Sequence, residues 1–219
     1  MQERFVHPLP KNVSFEEGAM IEPFSVPLNA ARRTQLTPED SLTVFGAGTI
    51  GLCAIKVGKA YNTKTIISID INERRLALAK KMGATFTINP AKEKDVLKAL
   101  KETTGLNGTN VVFEASGAEV SLDNAFKIAS YRGRIGIMGF YKSPQVKITP
   151  VEIVKKQLDV YGSRLYWNRF PFALDLINSG KVFLSDLITH KFSFADIEKA
   201  FQTGADPKNN ALKILIKMN

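Results

Sequence analysis

The chain has 219 residues, 44% of them hydrophobic and 23% charged, a composition that suits a folded protein with a sizeable buried core. No apolar run approaches the roughly 18 residues of a spanning helix, and the start MQERFVHPLP lacks the charged-then-apolar pattern of a secretory leader, so the cytoplasm is the expected compartment and no membrane partner is expected. The net charge of +9 is spread over expected helix faces (Lys80, Lys81, Lys94, Lys98, Lys101, Lys155, Lys156) without interleaved aromatics, which argues for a solvated basic surface and against nucleic acid.

Residues 5–10, FVHPLP, are extended and proline-broken, too short for a domain. Ser14 followed by Phe15, Glu16 and Glu17 is an N-cap with acids in the first turn, and predicts a short helix through Met20. Ile21, Glu22, Pro23, Phe24, Ser25 and Val26 come next, with a separate helical run to Arg33. Thr37-Pro38-Glu39-Asp40 is a turn that delivers the first strand of the main pattern.

Residues 41–70, SLTVFGAGTIGLCAIKVGKAYNTKTIISID, read as a βαβ unit: a short strand, a glycine loop, a helix to about Tyr61, and a second strand ending on Asp70. The glycines have separate tasks: Gly46 allows a tight turn, Gly48 lets backbone approach a pyrophosphate, and Gly51 lets helix and strand pack closely. Phosphate would sit on the N–H groups at the helix N-terminus. Asp70, about 20 residues beyond Gly51, stands where a carboxylate takes the hydroxyls of an adenosine ribose. Methyltransferases that bind adenosylmethionine share this architecture and an acid after the second strand, but their glycines usually lie closer together. Cys53, the single cysteine, falls in the helix as a small packed residue with no internal partner for a disulfide.

The alternation continues. Asn72-Glu73 begins a helix with Leu76, Leu78, Ala79 and Met82 on one face, stopped by Gly83; residues 85–89 are a third strand broken by Pro90; Val96, Leu97 and Leu100 mark a helix ending near Gly105. Residues 110–115 are a nearly continuous apolar strand, as one covered on both faces should be, closed by Ser116-Gly117. Residues 119–130 predict a helix, 133–139 (GRIGIMG) a fifth strand, Thr149-Pro150 a short helix, and 158–162 a sixth strand. The fold class is therefore α/β, a doubly wound parallel sheet of six strands. Beyond Gly162 the pattern changes to a helix over 169–179, a strand over 187–192, a helix over 194–201 and a strand over 212–217, a tail too small to stand alone.

Several of these stretches together resemble the zinc-dependent medium-chain alcohol and polyol dehydrogenases, nearest the sorbitol, galactitol-phosphate and threonine dehydrogenase branch. The matching segments are LPKNVSFEEGAMIEPFSV (9–26), FGAGTIG (45–51), IDINERRLALAKKMGA (69–84), VVFEASG (111–117) and LITHKFSF (187–194), in the family's order and across essentially the whole chain. The resemblance implies a Rossmann sheet over 28–162, a remnant of the catalytic domain over 1–27 and a C-terminal segment of that second lobe over 163–219. It implies that Gly46, Gly48, Thr49, Ile50 and Gly51 hold the pyrophosphate, that Asp70 takes the adenine ribose with Arg75 beside it, and that Ser116 and Gly117 border the adenine. Met138, Gly139, Phe140, Ser163 and Arg164 would flank the nicotinamide. A carboxylate at Asp70 repels the extra phosphate of NADP, so NAD is the implied cofactor.

By itself Glu22 reads as a surface acid near a helix start. The resemblance instead implies a place at the catalytic zinc, as ligand or as holder of its water. The family's other zinc ligands, a cysteine and a histidine followed by glutamate, precede the matched part, and Cys53, His7 and His190 do not stand at ligand positions. His190 reads as a satisfied structural histidine. The expectation is a C-terminal three-fifths of such an enzyme or a shortened relative, unable to assemble catalytic zinc by itself. In the complete architecture the reaction is hydride transfer between a secondary alcohol or polyol and NAD; the alternative is an NAD-binding module without turnover. A homodimer or homotetramer is implied, with the apolar strand 134–139 and its neighbours as the open sheet edge. Polyol dehydrogenases often carry arginine and tyrosine after the sixth strand; here Tyr166 matches but Arg164 comes one residue early, and Trp167 or Arg169 are the alternative pocket residues.

Overall fold

The structure is a computed structural model that describes residues 6–93, 95–166 and 168–218; Phe5, Lys94 and Trp167 lie outside the described residues. It divides into two compact units, Met1–Ile21 with Pro171–Asn219, and Glu22–Phe170.

The first helix, α1 (Phe15–Arg33), departs from the expected pair of shorter helices by running unbroken through Pro23 and Pro27. An interior proline costs about 3 kcal/mol. Against two of them stands a stripe of Met20, Phe24 and Leu28, all fully buried, each contributing about 1.5–3 kcal/mol. Tertiary burial therefore outweighs local propensity. At its start the hydroxyl of Ser14 donates to Glu17 Oε2 and accepts from Glu17 N–H, both at 3.2 Å, a reciprocal cap.

In the larger unit β1 (Ser41–Phe45), α2 (Thr49–Ala60), β2 (Thr65–Ile69), α3 (Glu73–Met82), β3 (Phe86–Ile88), α4 (Val96–Thr104), β4 (Thr109–Glu114), α5 (Glu119–Ile128), β5 (Ala129–Ile137), α6 (Pro150–Lys156) and β6 (Asp159–Gly162) follow in turn. The six strands are all parallel, in the order β3-β2-β1-β4-β5-β6. This is the expected doubly wound sheet, with its order reversing between β1 and β4. Phe45, Ile67, Ile69, Val112, Phe126 and Ile135 belong to its buried core. Asn72 caps α3 through its side chain, and Gly83 and Gly105 end α3 and α4 in left-handed conformation.

Two expectations need correction. Helix α5 ends at Ile128 and the chain passes directly into β5, two residues before the expected end of the helix, because Thr109 already pairs with Ala129 across the sheet. The 134–139 strand is not an edge, because it lies between β4 and β6; the sheet's edges are β3 and β6, and β6 is mostly exposed.

In the smaller unit, α7 (Phe170–Asn178), whose first residue belongs to the larger unit, leads to Gly180 in left-handed conformation. Strands β7 (Ile188–Ser193) and β8 (Lys213–Lys217) pair in parallel, with α8 (Ile197–Ala205) as their crossover. Asn12 Nδ2 donates to Asn178 O at 3.1 Å and Lys191 pairs with Glu16 at 2.6 Å, tying the two ends of the chain within this unit. Among the described residues no helix is long and apolar enough to cross a membrane.

Candidate functional site

The site lies at the C-terminal ends of the parallel strands, around the reversal of strand order, where open α/β sheets form their crevice. Beyond β1 the chain turns at Gly46, with φ +88°, and Gly46 N–H donates to Ile69 O at 2.8 Å. A Cβ on Gly51 would fall within the carbonyl oxygen of Gly46, so the loop closes on α2 more tightly than any side chain permits. Above Gly48 there is open space within 4 Å. No side chain caps α2 at Gly48 and no acid stands in its first turn, which carries Thr49, Ile50 and Gly51, so the positive end of the helix faces the crevice.

Asp70 follows β2 and grips this loop: Ala47 N–H donates to its Oδ2 at 2.6 Å and Asn72 N–H to its Oδ1 at 2.8 Å. Each carboxylate oxygen keeps a second acceptor position for a ribose hydroxyl. Arg75 is exposed on the first turn of α3, its backbone N–H on Asn72 Oδ1 at 3.2 Å.

Ser116 and Gly117 follow β4, and a Cβ on Gly46 would meet Ser116 Cα at 3.0 Å. Met138, Gly139 and Phe140 follow β5 and pack against them: a Cβ on Gly139 would meet Gly117 N at 2.5 Å, and one on Gly117 would strike Phe140 O. Phe140 is 81% exposed, the most open aromatic on this rim. Ser163 and Arg164 follow β6, and Ser163 N–H donates to Ile137 O at 2.8 Å. The structure thus brings the loop glycines, Asp70, Ser116, Gly117, Met138, Gly139, Phe140, Ser163 and Arg164 to one end of the sheet.

Two residues of this rim were not singled out in the sequence. Glu114, at the end of β4, is fully buried. Its Oε1 accepts from Ser116 N–H at 2.9 Å, Ser116 Oγ at 2.5 Å and Gly117 N–H at 3.2 Å, and its Oε2 accepts from Tyr141 Oη at 2.6 Å. The carboxylate joins the loop after β4 to the loop after β5 through neutral donors. Burial, then the bond to Glu114, pushes the Tyr141 phenol well above its usual range, so it remains a donor. A carboxylate inside the apolar run of VVFEASG is the signal that could have marked it. The other is Asn29 on α1, 5% exposed, whose Nδ2 lies 3.3 Å from Ser163 Oγ and from the carbonyls of Arg164 and Leu165. Its partners lie far along the chain, so no local pattern marks it.

Glu22 is exposed on α1. Among these residues no three His, Cys, Asp or Glu side chains gather as a metal site. Cys53 is buried in α2, and His190 Nδ1 on β7 lies 2.9 Å from Thr189 Oγ1. The donors described here do not fit a catalytic zinc, which takes three protein ligands.

Residues 49–179 match the model of the zinc-binding dehydrogenase family. The chain is 34% identical over its full length to a sorbitol dehydrogenase of Bacillus subtilis (strain 168), and 33% identical to an L-idonate 5-dehydrogenase of Vitis vinifera, covering 62% of each. Among solved structures it superposes on an Escherichia coli CFT073 short chain alcohol dehydrogenase complexed with NADH, with a TM-score of 0.90, 31% identity, and 97% of this chain against 62% of that one. A 2R,3R-butanediol dehydrogenase from Bacillus subtilis gives a TM-score of 0.88 at 33% identity over 96% of this chain and 60% of that one. The chain thus spans about 62% of the length of the curated relatives it matches. Sequence, strand order and the glycine loop agree: the chain belongs to the zinc-binding dehydrogenase family.

Proposed function

We propose that this chain binds NAD and serves hydride transfer between the cofactor and a secondary alcohol or polyol. The observation that carries the reading is the loop after β1: an uncapped helix start, open space over Gly48, and the Asp70 carboxylate bonded to Ala47 N–H. Relatives named for sorbitol and idonate support a polyol as the small-molecule substrate. Residues 28–162 form the cofactor domain in this reading, with 1–27 and 163–219 contributing to a catalytic lobe.

Gly46, Gly48, Thr49, Ile50 and Gly51 receive the pyrophosphate at the start of α2, and Asp70 takes the adenosine hydroxyls with Arg75 alongside. Ser116 and Gly117 border the adenine. Met138, Gly139, Phe140, Ser163 and Arg164 line the nicotinamide end and exclude water from one face of the ring. A nicotinamide held there would supply the hydride chemistry, with these residues binding and orienting it. Glu22 is the single candidate zinc donor among the described residues, which do not complete a ligand set. A second reading is a cofactor-binding module without turnover of its own.

The expected result is tighter binding of NADH than NADPH by fluorescence titration. Asp70→Ala removes the acceptor of two hydroxyls and the anion that repels a 2′-phosphate, so the preference should collapse. Because Asp70 also holds the loop, both affinities fall somewhat, and their ratio is the decisive quantity. Equal affinities in the unmodified chain would refute the assignment.

We also propose a homodimer or homotetramer that covers the exposed edge of β6, where Val160 is 39% exposed. Light scattering should return a mass of at least two chains; a monomer at high concentration would overturn this.

A further inference from the structure

Within the larger unit, Asn29 joins α1 to the turn that follows β6. One amide group faces three acceptors at 3.3 Å, Ser163 Oγ and the carbonyls of Arg164 and Leu165, and two hydrogens must be shared among them. Leu165 is held at φ +53°, a left-handed conformation that disfavours any residue with a Cβ and therefore needs an outside hold. In a trans peptide the carbonyl and the following N–H point in opposite directions. With both carbonyls turned to Asn29, the N–H groups of Leu165 and Tyr166 are turned away from α1. Neither makes a hydrogen bond among the described residues.

The end of α1 and the two residues after it are moored twice more to the sheet, in part toward the starts of its strands, where Arg134 stands opposite Val111 and Asp159. Arg134 of β5 donates to the carbonyls of Thr34 and Gln35 at 2.8 Å, and the Arg33 guanidinium lies 6.0 Å from the Tyr161 ring centroid. Seven residues before Asn29 stands Glu22, which helical geometry returns to within about 20° of the same stripe, roughly 10 Å along the axis. The acid assigned to the metal side and the amide that holds the post-β6 turn are therefore carried by one helix.

We infer that Asn29 is a positioning residue for the nicotinamide half of the cofactor, fixing the 163–165 turn so that the outward-turned N–H groups of Leu165 and Tyr166, together with Ser163, hold one orientation. This inference rests on the dinucleotide reading above. Among the described residues the side-chain hydrogen bonds of Asn29 go to this turn, and its effect should reach the nicotinamide half while leaving the adenosine half, at Asp70 and Ser116, undisturbed.

The test is titration of the 219-residue chain and its Asn29→Asp and Asn29→Ala variants with NADH and with AMP. The aspartate keeps the shape but sets a carboxylate against two carbonyls, and should weaken NADH about tenfold while AMP changes less than about twofold. The alanine should give a smaller loss with the same selectivity, and it carries the test if the aspartate variant fails to fold. Equal losses for NADH and AMP would show a merely structural role and overturn the inference, as would unchanged NADH affinity in both variants. Absence of NADH binding by the unmodified chain would overturn the dinucleotide reading, and this inference with it.

Discussion

Glu114→Ala is expected to destabilise the larger unit by about 3–5 kcal/mol, because four donors lose their acceptor inside a dry site and a cavity replaces the carboxylate. For a unit of this size that is a fall in melting temperature of roughly 10 °C, readable by circular dichroism. Glu114→Gln keeps the volume and one acceptor oxygen but aims an NH2 group at a donor, so it should fall between the two. A melting temperature unchanged in both variants would mean that the donors are solvated instead. The bond from Tyr141 adds a pH signature. Its phenol is raised in the folded chain, first by burial and then by Glu114. Its stabilising contribution is thus present below an unfolded pKa of about 10 and lost as pH climbs beyond that value.

Gly51→Ala should have the second largest effect, and on two observables together. The added methyl must displace the Gly46 carbonyl, and because that carbonyl belongs to the turn proposed to receive the pyrophosphate, fold and ligand binding should suffer at once. Overpacking of up to about 3 kcal/mol corresponds to about a hundredfold loss of NADH affinity if all of it falls on the binding-competent loop. Gly48→Ala is the matched control. Nothing lies within 4 Å of its would-be Cβ, so thermal stability should hold while NADH affinity drops. Equal melting temperatures for the two variants would show that the Gly46–Gly51 approach is not a constraint.

The parts of this fold that sequence alone reveals are those governed by neighbours in the chain. Asn72 and Gly83 bracket α3, Gly105 ends α4, and the glycine loop announces its strand and helix, because each signal acts within a turn or two. The misread parts depend on distant partners. Pro23 and Pro27 argue locally for a break, and only the burial of Met20, Phe24 and Leu28 shows why α1 continues. Asp70 is legible as an acid closing the second strand, but not as the clasp on Ala47, 23 positions away. Glu114 and Tyr141 are separated by 27 positions, and Asn29 and Ser163 by 134, so neither pair leaves a periodic trace.

The lone cysteine gives the chain a built-in reporter. Cys53 sits fully buried in α2, the helix whose first turn follows the glycine loop. A thiol reagent can reach its Sγ only when that helix lifts from the sheet, so the rate of alkylation counts such openings. A dinucleotide held at the start of α2 favours the closed form by RT ln(1 + [L]/Kd), and openings become rarer in the same proportion. Occupancy of the crevice would thereby be written into the chemical lifetime of one buried sulfur atom.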